Sequence, residues 1–194
     1  MITEYTYNDV RVAVLAYADA EEILADDTFL SEYSNPARRR EKALTAYLLR
    51  KCLNITDISK LKHTSDGAPF IEGAPLRISI SHSHHEVALA WSQTAHPGID
   101  IESERPSLLR VASRFLTPDE QLFYTTLPLL QRAWTIKEAV YKALLIKNLS
   151  SQEIHLSCTT PHNDTDHVTV NETRLEVHLQ TLPSGSILAI TEAK

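Results

Sequence analysis

The chain has 194 residues, of which 43% are hydrophobic and 23% charged, a balance typical of a globular protein with a core of its own. Its formal net charge of −6 argues against a protein that coats nucleic acid, and four glycines are too few for a glycine-rich nucleotide loop. Two distant cysteines, a polar N-terminal segment and short apolar runs predict a cytoplasmic protein that does not associate with membranes.

The first half of the chain is predicted to contain strands and one long helix. Residues 10–17 are typical of a buried strand, and residues 21–30 of a short helix. A second helix begins at Asn35-Pro36, since asparagine caps a helix and proline suits its first turn. Four basic residues lie in the first turns of this helix: Arg38, Arg39, Arg40 and Lys42. Because positive charge opposes the helix dipole at this end, the cluster weakly indicates anion binding.

A polar segment ends the first of two predicted strands, residues 77–81 and 87–91, which follow a turn-rich stretch at residues 65–69. The segment reads S-I-S-H-S-H-H from Ser79 to His85. Its hydroxyls and imidazoles are suited to hold a phosphate, and a solvated polar turn is an equal alternative. A zinc site is disfavoured because no fourth ligand follows at a plausible spacing.

The second half begins, after a predicted linker at residues 93–97, with the strand G-I-D-I-E at residues 98–102. Since side chains alternate along a strand, Asp100 and Glu102 share one face and lie about 6–7 Å apart. Two such carboxylates repel each other unless a cation lies between them. For this pentapeptide alone, a solvated acidic face is the favoured interpretation.

Two helices are predicted next, a short one that opens with T-P-D-E at residues 117–120 and a longer one at about residues 131–147. The T-P-D-E segment is a capping box, which by itself explains Glu120. The longer helix carries Glu138 and Lys142 at i, i+4 spacing on the flank of its apolar face. A surface ion pair explains that spacing without any function.

Three further strands are predicted near residues 167–170, 174–180 and 186–191. Helices therefore mix with antiparallel-looking strands along the whole sequence, which predicts the fold class α+β. The predicted linker divides the chain into an N-terminal α+β half, residues 1–95, and a C-terminal α+β half, residues 96–194.

The motifs I-S-I-S-H-S, G-I-D-I-E and W-T-I-K-E-A-V-Y-K, in this order, resemble those of the 4'-phosphopantetheinyl transferase family. The resemblance covers roughly residues 35–145, and the aspartate–x–glutamate form is similar to the longer, pseudo-dimeric subgroup. It implies two similar α+β halves related by a pseudo-two-fold axis, with the active site at their interface. It also implies a monomer.

The resemblance assigns roles to residues of the second and third motifs. Asp100, Glu102 and Glu138 are implied as ligands of Mg²⁺, an ion that prefers hard oxygen donors. Lys142 is implied to contact the phosphate next to the scissile bond, as a catalytic residue beside Glu138. For Lys137, in the same motif, a purely structural role is the open alternative.

Further roles are implied upstream and between the motifs. Ser81 and His82 resemble a serine–histidine pair that contacts the phosphates of coenzyme A. Arg40 lies where the family binds the 3'-phosphate, a part that Arg38 or Arg39 could also take. Glu120 lies where some members have a glutamate proposed as general base, although the capping box already accounts for it.

The implied reaction moves the 4'-phosphopantetheine arm of coenzyme A, the donor substrate, onto a serine of an acidic apo carrier protein, and releases 3',5'-ADP. One departure is Ala68, where the family has a lysine between glycine and proline. His63, Arg77 or Arg50 could supply the missing charge. A non-catalytic protein that binds coenzyme A or a carrier is therefore the alternative, and a nucleic-acid binding module is disfavoured by the acidic composition.

Overall fold

The computed structural model describes residues 1–20, 23, 34–158 and 164–194, so the helix predicted at residues 21–30 falls almost entirely outside the described residues. The described residues form two antiparallel sheets and a set of helices. The first sheet has the strand order β1-β2-β6-β5-β4-β3 and contains β1 (Ile2–Tyr7), β2 (Val10–Ala16), β3 (Leu61–His63), β4 (Pro69–Ile71), β5 (Arg77–His82) and β6 (Glu86–Ser92).

The second sheet has the order β7-β11-β10-β9-β8 and contains β7 (His96–Glu102), β8 (His155–Leu156), β9 (Thr165–Val170), β10 (Thr173–Thr181) and β11 (Ile187–Ala193). Helix α1 (Pro36–Leu53) belongs to the first half of the chain. Helices α2 (Ser107–Phe115), α3 (Pro118–Phe123) and α4 (Leu127–Leu144) belong to the second. The α+β class is confirmed, and the predicted division at residues 95 and 96, which stays a prediction, falls between β6 and β7.

The two sheets pack face to face through an apolar core. Its buried residues come from β2, β6, β7 and β11: Val10, Val12, Val14, Ala88, Ala90, Ile99, Ile101, Leu188 and Ile190. On the outer face of the first sheet, α1 buries Leu44, Leu48 and Leu49 against β2 and β6. On the outer face of the second sheet, α2 and α4 close a second helix-covered core. The layers therefore run helix, sheet, sheet, helix.

Local signals place α1 and α4 with different accuracy. The side chain of Asn35 caps α1 by accepting hydrogen bonds from the backbone N–H groups of Ala37 and Arg38, as the sequence predicts. Helix α4 begins four residues before its predicted start and ends at Leu144, where Leu145 takes a left-handed conformation. The predicted linker at residues 93–97 is wrong in its last two residues, because β7 already begins at His96. In the part of the chain that the structure describes, no helix is long and apolar enough to cross a membrane.

Candidate active site

Strand β7 carries the acidic pair under helix α4. Ile99 and Ile101 point into the core between the sheets, so Asp100 and Glu102 point to the opposite face, as the alternation predicts. That face is covered, because β7 packs against α4, and Asp100 is only 7% exposed. The interpretation of a solvated acidic face is therefore wrong for Asp100.

Gly98 allows α4 to approach β7 closely. A Cβ atom at this position would lie 2.1 Å from the carbonyl oxygen of Ala139 and 2.6 Å from the Cβ of Ala143. Since real Cβ atoms do not approach other atoms so closely, only glycine fits here. Glu138 and Lys142 precede these two alanines in the sequence, so the same contact brings them to the carboxylates of β7.

Lys142 pairs with Asp100 rather than with Glu138. Its Nζ lies 2.7 Å from Oδ1 of Asp100, and the lysine side chain is 28% exposed. The hydroxyl of Ser81 donates a hydrogen bond to the same carboxylate oxygen at 2.7 Å. Strand β5 in the first sheet, β7 in the second sheet and α4 thus meet at one aspartate.

Arg105 binds the second carboxylate of β7, and the sequence analysis missed it. Its guanidinium lies 3.0 Å from Oε2 of Glu102 and stacks over the ring of Trp134. The i, i+3 spacing from Glu102 is the signal that could have found it. Trp134, the first residue of the third motif, thus holds the arginine that faces the acidic strand.

The three carboxylates act on one another electrostatically. The pKa of Glu102 is raised to about 7, mainly by burial and also by the charges of Asp100 and Glu138, while the charge of Arg105 opposes this rise. Burial also raises the pKa of Glu138, with a further contribution from Asp100 against the opposing charges of Lys142 and Arg105. The site is therefore a cluster of negative charge that ammonium and guanidinium groups only partly compensate.

This cluster fits a hard divalent cation in the chemistry of its donors. Among residues 1–20, 23, 34–158 and 164–194, no three histidine, cysteine, aspartate or glutamate side chains are already arranged around a metal position. Lys142 and Arg105 instead lie beside Asp100 and Glu102. Oxygen donors that repel one another are suited to Mg²⁺, which takes only a few carboxylates and keeps its other positions for water and phosphate.

A cavity of about 830 Å³ opens beside this cluster, in the size range of small-molecule sites. Its lining comes from α1 and β3 to β5 on one side and from β7 and α4 on the other. Seven basic or imidazole side chains line it: Lys42, His63, Arg77, His82, His96, Lys142 and Lys147. Three carboxylates, those of Glu41, Asp66 and Glu138, line it as well, so the four lysine and arginine side chains leave a small excess of positive charge, which suits an anionic ligand.

The predicted phosphate-binding residues are distributed unevenly around this cavity. His82 lines it and lies 3.5 Å from Oε2 of Glu41, whereas Ser81 is buried beneath it against Asp100. Arg40 packs over the ring of Tyr17, and the basic residue that α1 contributes to the lining is Lys42. The phosphate contacts of Arg40, Ser81 and His82 stay predictions.

Lys137 and Glu120 form a buried ion pair in the structural core. The Lys137 side chain is 1% exposed, and its ammonium donates to the carbonyl oxygens of Phe115 and Ser151 and to Oε2 of Glu120 at 2.7 Å. Glu120 also accepts hydrogen bonds from the backbone N–H groups of Thr117 and Leu156. All three ammonium protons and both carboxylate oxygens are thus engaged, which gives the pair a structural role. The role of Glu120 as general base stays a prediction.

Two comparisons with known proteins bear on this site. The model of the 4'-phosphopantetheinyl transferase superfamily matches residues 97–191, a span that contains β7 and α4. The chain is also 31% identical over 145 residues to the 4'-phosphopantetheinyl transferase HetI of Nostoc sp. (strain PCC 7120 / SAG 25.82 / UTEX 2576). This match covers 68% of the chain and 55% of HetI, so the chain spans about half the length of the curated relative.

Proposed function

We propose that this chain, whose residues 97–191 match the model of the 4'-phosphopantetheinyl transferase superfamily, transfers the 4'-phosphopantetheine arm of coenzyme A to a serine of an apo carrier protein. One observation carries the proposal: Asp100 of β7 meets Lys142 of α4 beside a cavity in which lysine and arginine side chains outnumber carboxylates. An anionic diphosphate substrate and a divalent cation are the ligands that this combination suits.

Asp100, Glu102 and Glu138 are the residues that would hold Mg²⁺. When bound, the ion supplies positive charge that stabilises the diphosphate of coenzyme A. Lys142 and Arg105 are the cations nearest to these carboxylates, and both side chains are partly exposed. Lys142 also lines the cavity, so its ammonium can turn toward phosphate oxygens when Asp100 takes another partner, while Arg105 stays stacked over Trp134.

The transfer forms a bond between the serine oxygen of the carrier and the β-phosphorus of coenzyme A. The bond from that phosphorus to the bridging oxygen breaks, and 3',5'-ADP leaves. The ammonium of Lys142 neutralises negative charge that develops on the leaving group. The serine proton passes to a water held by a carboxylate, since the oxygens of Glu120 are already engaged by Lys137 and by backbone N–H groups.

The two halves of the chain contribute different parts of this site. The C-terminal half supplies the three carboxylates and Lys142, and the N-terminal half supplies most of the cavity wall. We therefore place the active site where the halves meet. The proposed partner is an acidic carrier protein. We further propose that the protein acts in the cytoplasm as a monomer, since one chain contains every residue that the mechanism uses.

The test is an intact-mass measurement on a panel of apo carrier proteins incubated with coenzyme A, Mg²⁺ and the protein. We expect one carrier to gain the mass of one phosphopantetheine, and the gain to disappear when the metal is chelated. Binding of coenzyme A without any gain on any carrier would favour the non-catalytic alternative.

Matched variants test the assignment of the carboxylates. Asp100→Asn and Glu138→Gln keep the side-chain size and remove the charge, so each should abolish transfer. Asp119→Asn changes an exposed aspartate outside the cavity lining and should leave transfer unchanged. Wild-type transfer by either of the first two variants would contradict the metal assignment.

A further inference from the structure

Strand β7 lies at the edge of the second sheet and has one strand partner there, β11, among the described residues. An edge strand leaves alternate backbone N–H groups without a partner in its sheet. In β7, two of these groups are satisfied by side chains of the first sheet. The N–H of Ile99 donates to the hydroxyl of Ser79 and the N–H of Ile101 to the hydroxyl of Ser81, each at 3.2 Å.

The two serine hydroxyls accept the hydrogen bonds that carbonyl groups of a neighbouring strand would accept at this edge. The separation in sequence is 20 residues for both contacts, so β5 and β7 run in the same direction at this point. Ser79 and Ser81 are two residues apart on one face of β5, which matches the two-residue spacing of the N–H groups. Both hydroxyls are buried, so these contacts are part of the packing between the halves.

The two serines differ in one respect. Ser79 accepts the N–H of Ile99, whereas Ser81 also donates to Oδ1 of Asp100 at 2.7 Å and lies 3.3 Å from Nζ of Lys142. A hydroxyl has one proton and two lone pairs. The N–H of Ile101 and the ammonium of Lys142 occupy the lone pairs of Ser81, so its proton is directed at Asp100.

We propose that Ser81 is a positioning residue, which fixes the carboxylate of Asp100 for the metal through the hydrogen bond that it donates to Oδ1. This inference rests on the proposed function, since it assumes that Asp100 holds the ion. Ser79 has only the backbone contact and serves as the matched control.

The experiment measures binding of Mn²⁺ alone to the full chain, by electron paramagnetic resonance, for Ser81→Ala and Ser79→Ala. Groups that orient a metal ligand typically contribute about 10–100-fold to metal affinity, so Ser81→Ala should weaken Mn²⁺ binding by about 10-fold or more. Ser79→Ala should bind Mn²⁺ as the wild type does. Hydrogen exchange should be faster at the amide of Ile101 in the first variant and at that of Ile99 in the second.

Unchanged Mn²⁺ affinity in Ser81→Ala, or an equal loss of Mn²⁺ affinity in Ser79→Ala, would overturn the inference and leave the proposed function intact. A wild-type protein that binds no Mn²⁺ would overturn the inference together with the metal assignment, and the mass gain of the carrier tests the transfer separately. If Ser81→Ala does not fold, Ser81→Cys and Ser79→Cys make the same comparison at nearly constant volume.

Discussion

Replacement of Gly98 by alanine should push α4 away from β7 and stop catalysis. The added Cβ would lie 2.1 Å from the carbonyl oxygen of Ala139, where ordinary contact begins at 3.4 Å. The oxygen belongs to the helix backbone, so it cannot rotate aside as a side chain can. Relief requires a displacement of about 1.3 Å, the difference between these two distances.

This displacement should lower both the stability of the protein and its turnover. Overpacking of a well-packed core typically costs about 1–3 kcal/mol. For a chain of this size each kcal/mol lowers the Tm by about 2–4 °C. The same movement would stretch the 2.7 Å contact between Lys142 and Asp100 beyond hydrogen-bond range. Since a misplacement of about 1 Å can cost about 100-fold in rate, turnover should fall by about that factor.

The assay combines thermal unfolding with the rate of phosphopantetheine transfer, measured well below the Tm of the variant. Ile99→Val is the control, because it removes one methyl group from the core between the sheets and leaves the contact with α4 unchanged. It should cost about 0.5–1.5 kcal/mol of stability without loss of turnover. Wild-type turnover in Gly98→Ala would refute the reasoning, as would an equal loss of turnover in Ile99→Val.

Three further substitutions test contacts elsewhere in the fold. Lys137→Met leaves the buried carboxylate of Glu120 without its counter-ion and should lower the free energy of unfolding in urea by about 3–5 kcal/mol. The control Lys60→Met changes an exposed lysine and should lower it little. Equal losses in the two variants would contradict the role of the buried pair. Ser186→Ala removes one of the two hydroxyls that donate to the buried carboxylate of Glu86 and should cost about 1–3 kcal/mol. The control Ser65→Ala changes an exposed serine and should cost little, and equal losses would contradict the role of the contact. Tyr17→Phe removes a buried hydroxyl that has no partner among the described residues, so the Tm at neutral pH should stay the same or rise. Burial raises the pKa of Tyr17 to about 12 from an ordinary value of 10.0, so its contribution to stability is present below pH 10.0 and is lost as the pH rises toward 12. The phenylalanine variant should therefore lose less stability over that range, and parallel Tm curves for the two proteins would show that Tyr17 is not responsible.

Elements with a clear local pattern could be predicted from the sequence, and short or edge elements could not. Strand β2 has a continuous apolar run, and its bounds were predicted within one residue. Helix α1 has a capping asparagine, and its start was predicted correctly. Strands β3 and β4 have three residues each, too few for any periodicity to show. The proline at position 97 led to the prediction of a linker where β7 begins. An edge strand tolerates proline, because the N–H groups that point away from the sheet need no partner strand.

Helix α2 was missed although its pattern is present. Leu108, Val111 and Phe115 have helical spacing and pack in the core of the second half. The end of α4 was placed three residues too late, because Leu145 stops the helix in a left-handed conformation that is usually marked by glycine or asparagine.

The sequence motifs indicated candidate residues for the site, but they did not predict the contacts that these residues make. Lys142 contacts Asp100, and the charges of both act on Glu138, but Lys142 pairs across to β7 and not along its own helix. The roles that the resemblance implies for these residues stay predictions. The buried position of Lys137 could not be read from the sequence, since lysine usually marks the surface. Arg105 and the backbone contacts of Ser81 depend on packing between distant segments, which a linear pattern does not contain.

The pairing of β7 with β11 has a consequence for the order in which the protein folds during synthesis. Ile99 pairs with Ile190, so β7 waits for its sheet partner while roughly ninety more residues are made, about 5–20 s at typical translation rates. Strand β5, by contrast, has already left the ribosome when β7 emerges. The serine hydroxyls can therefore hold the outer edge of β7 early, so that only the edge that faces β11 stays open until β11 arrives.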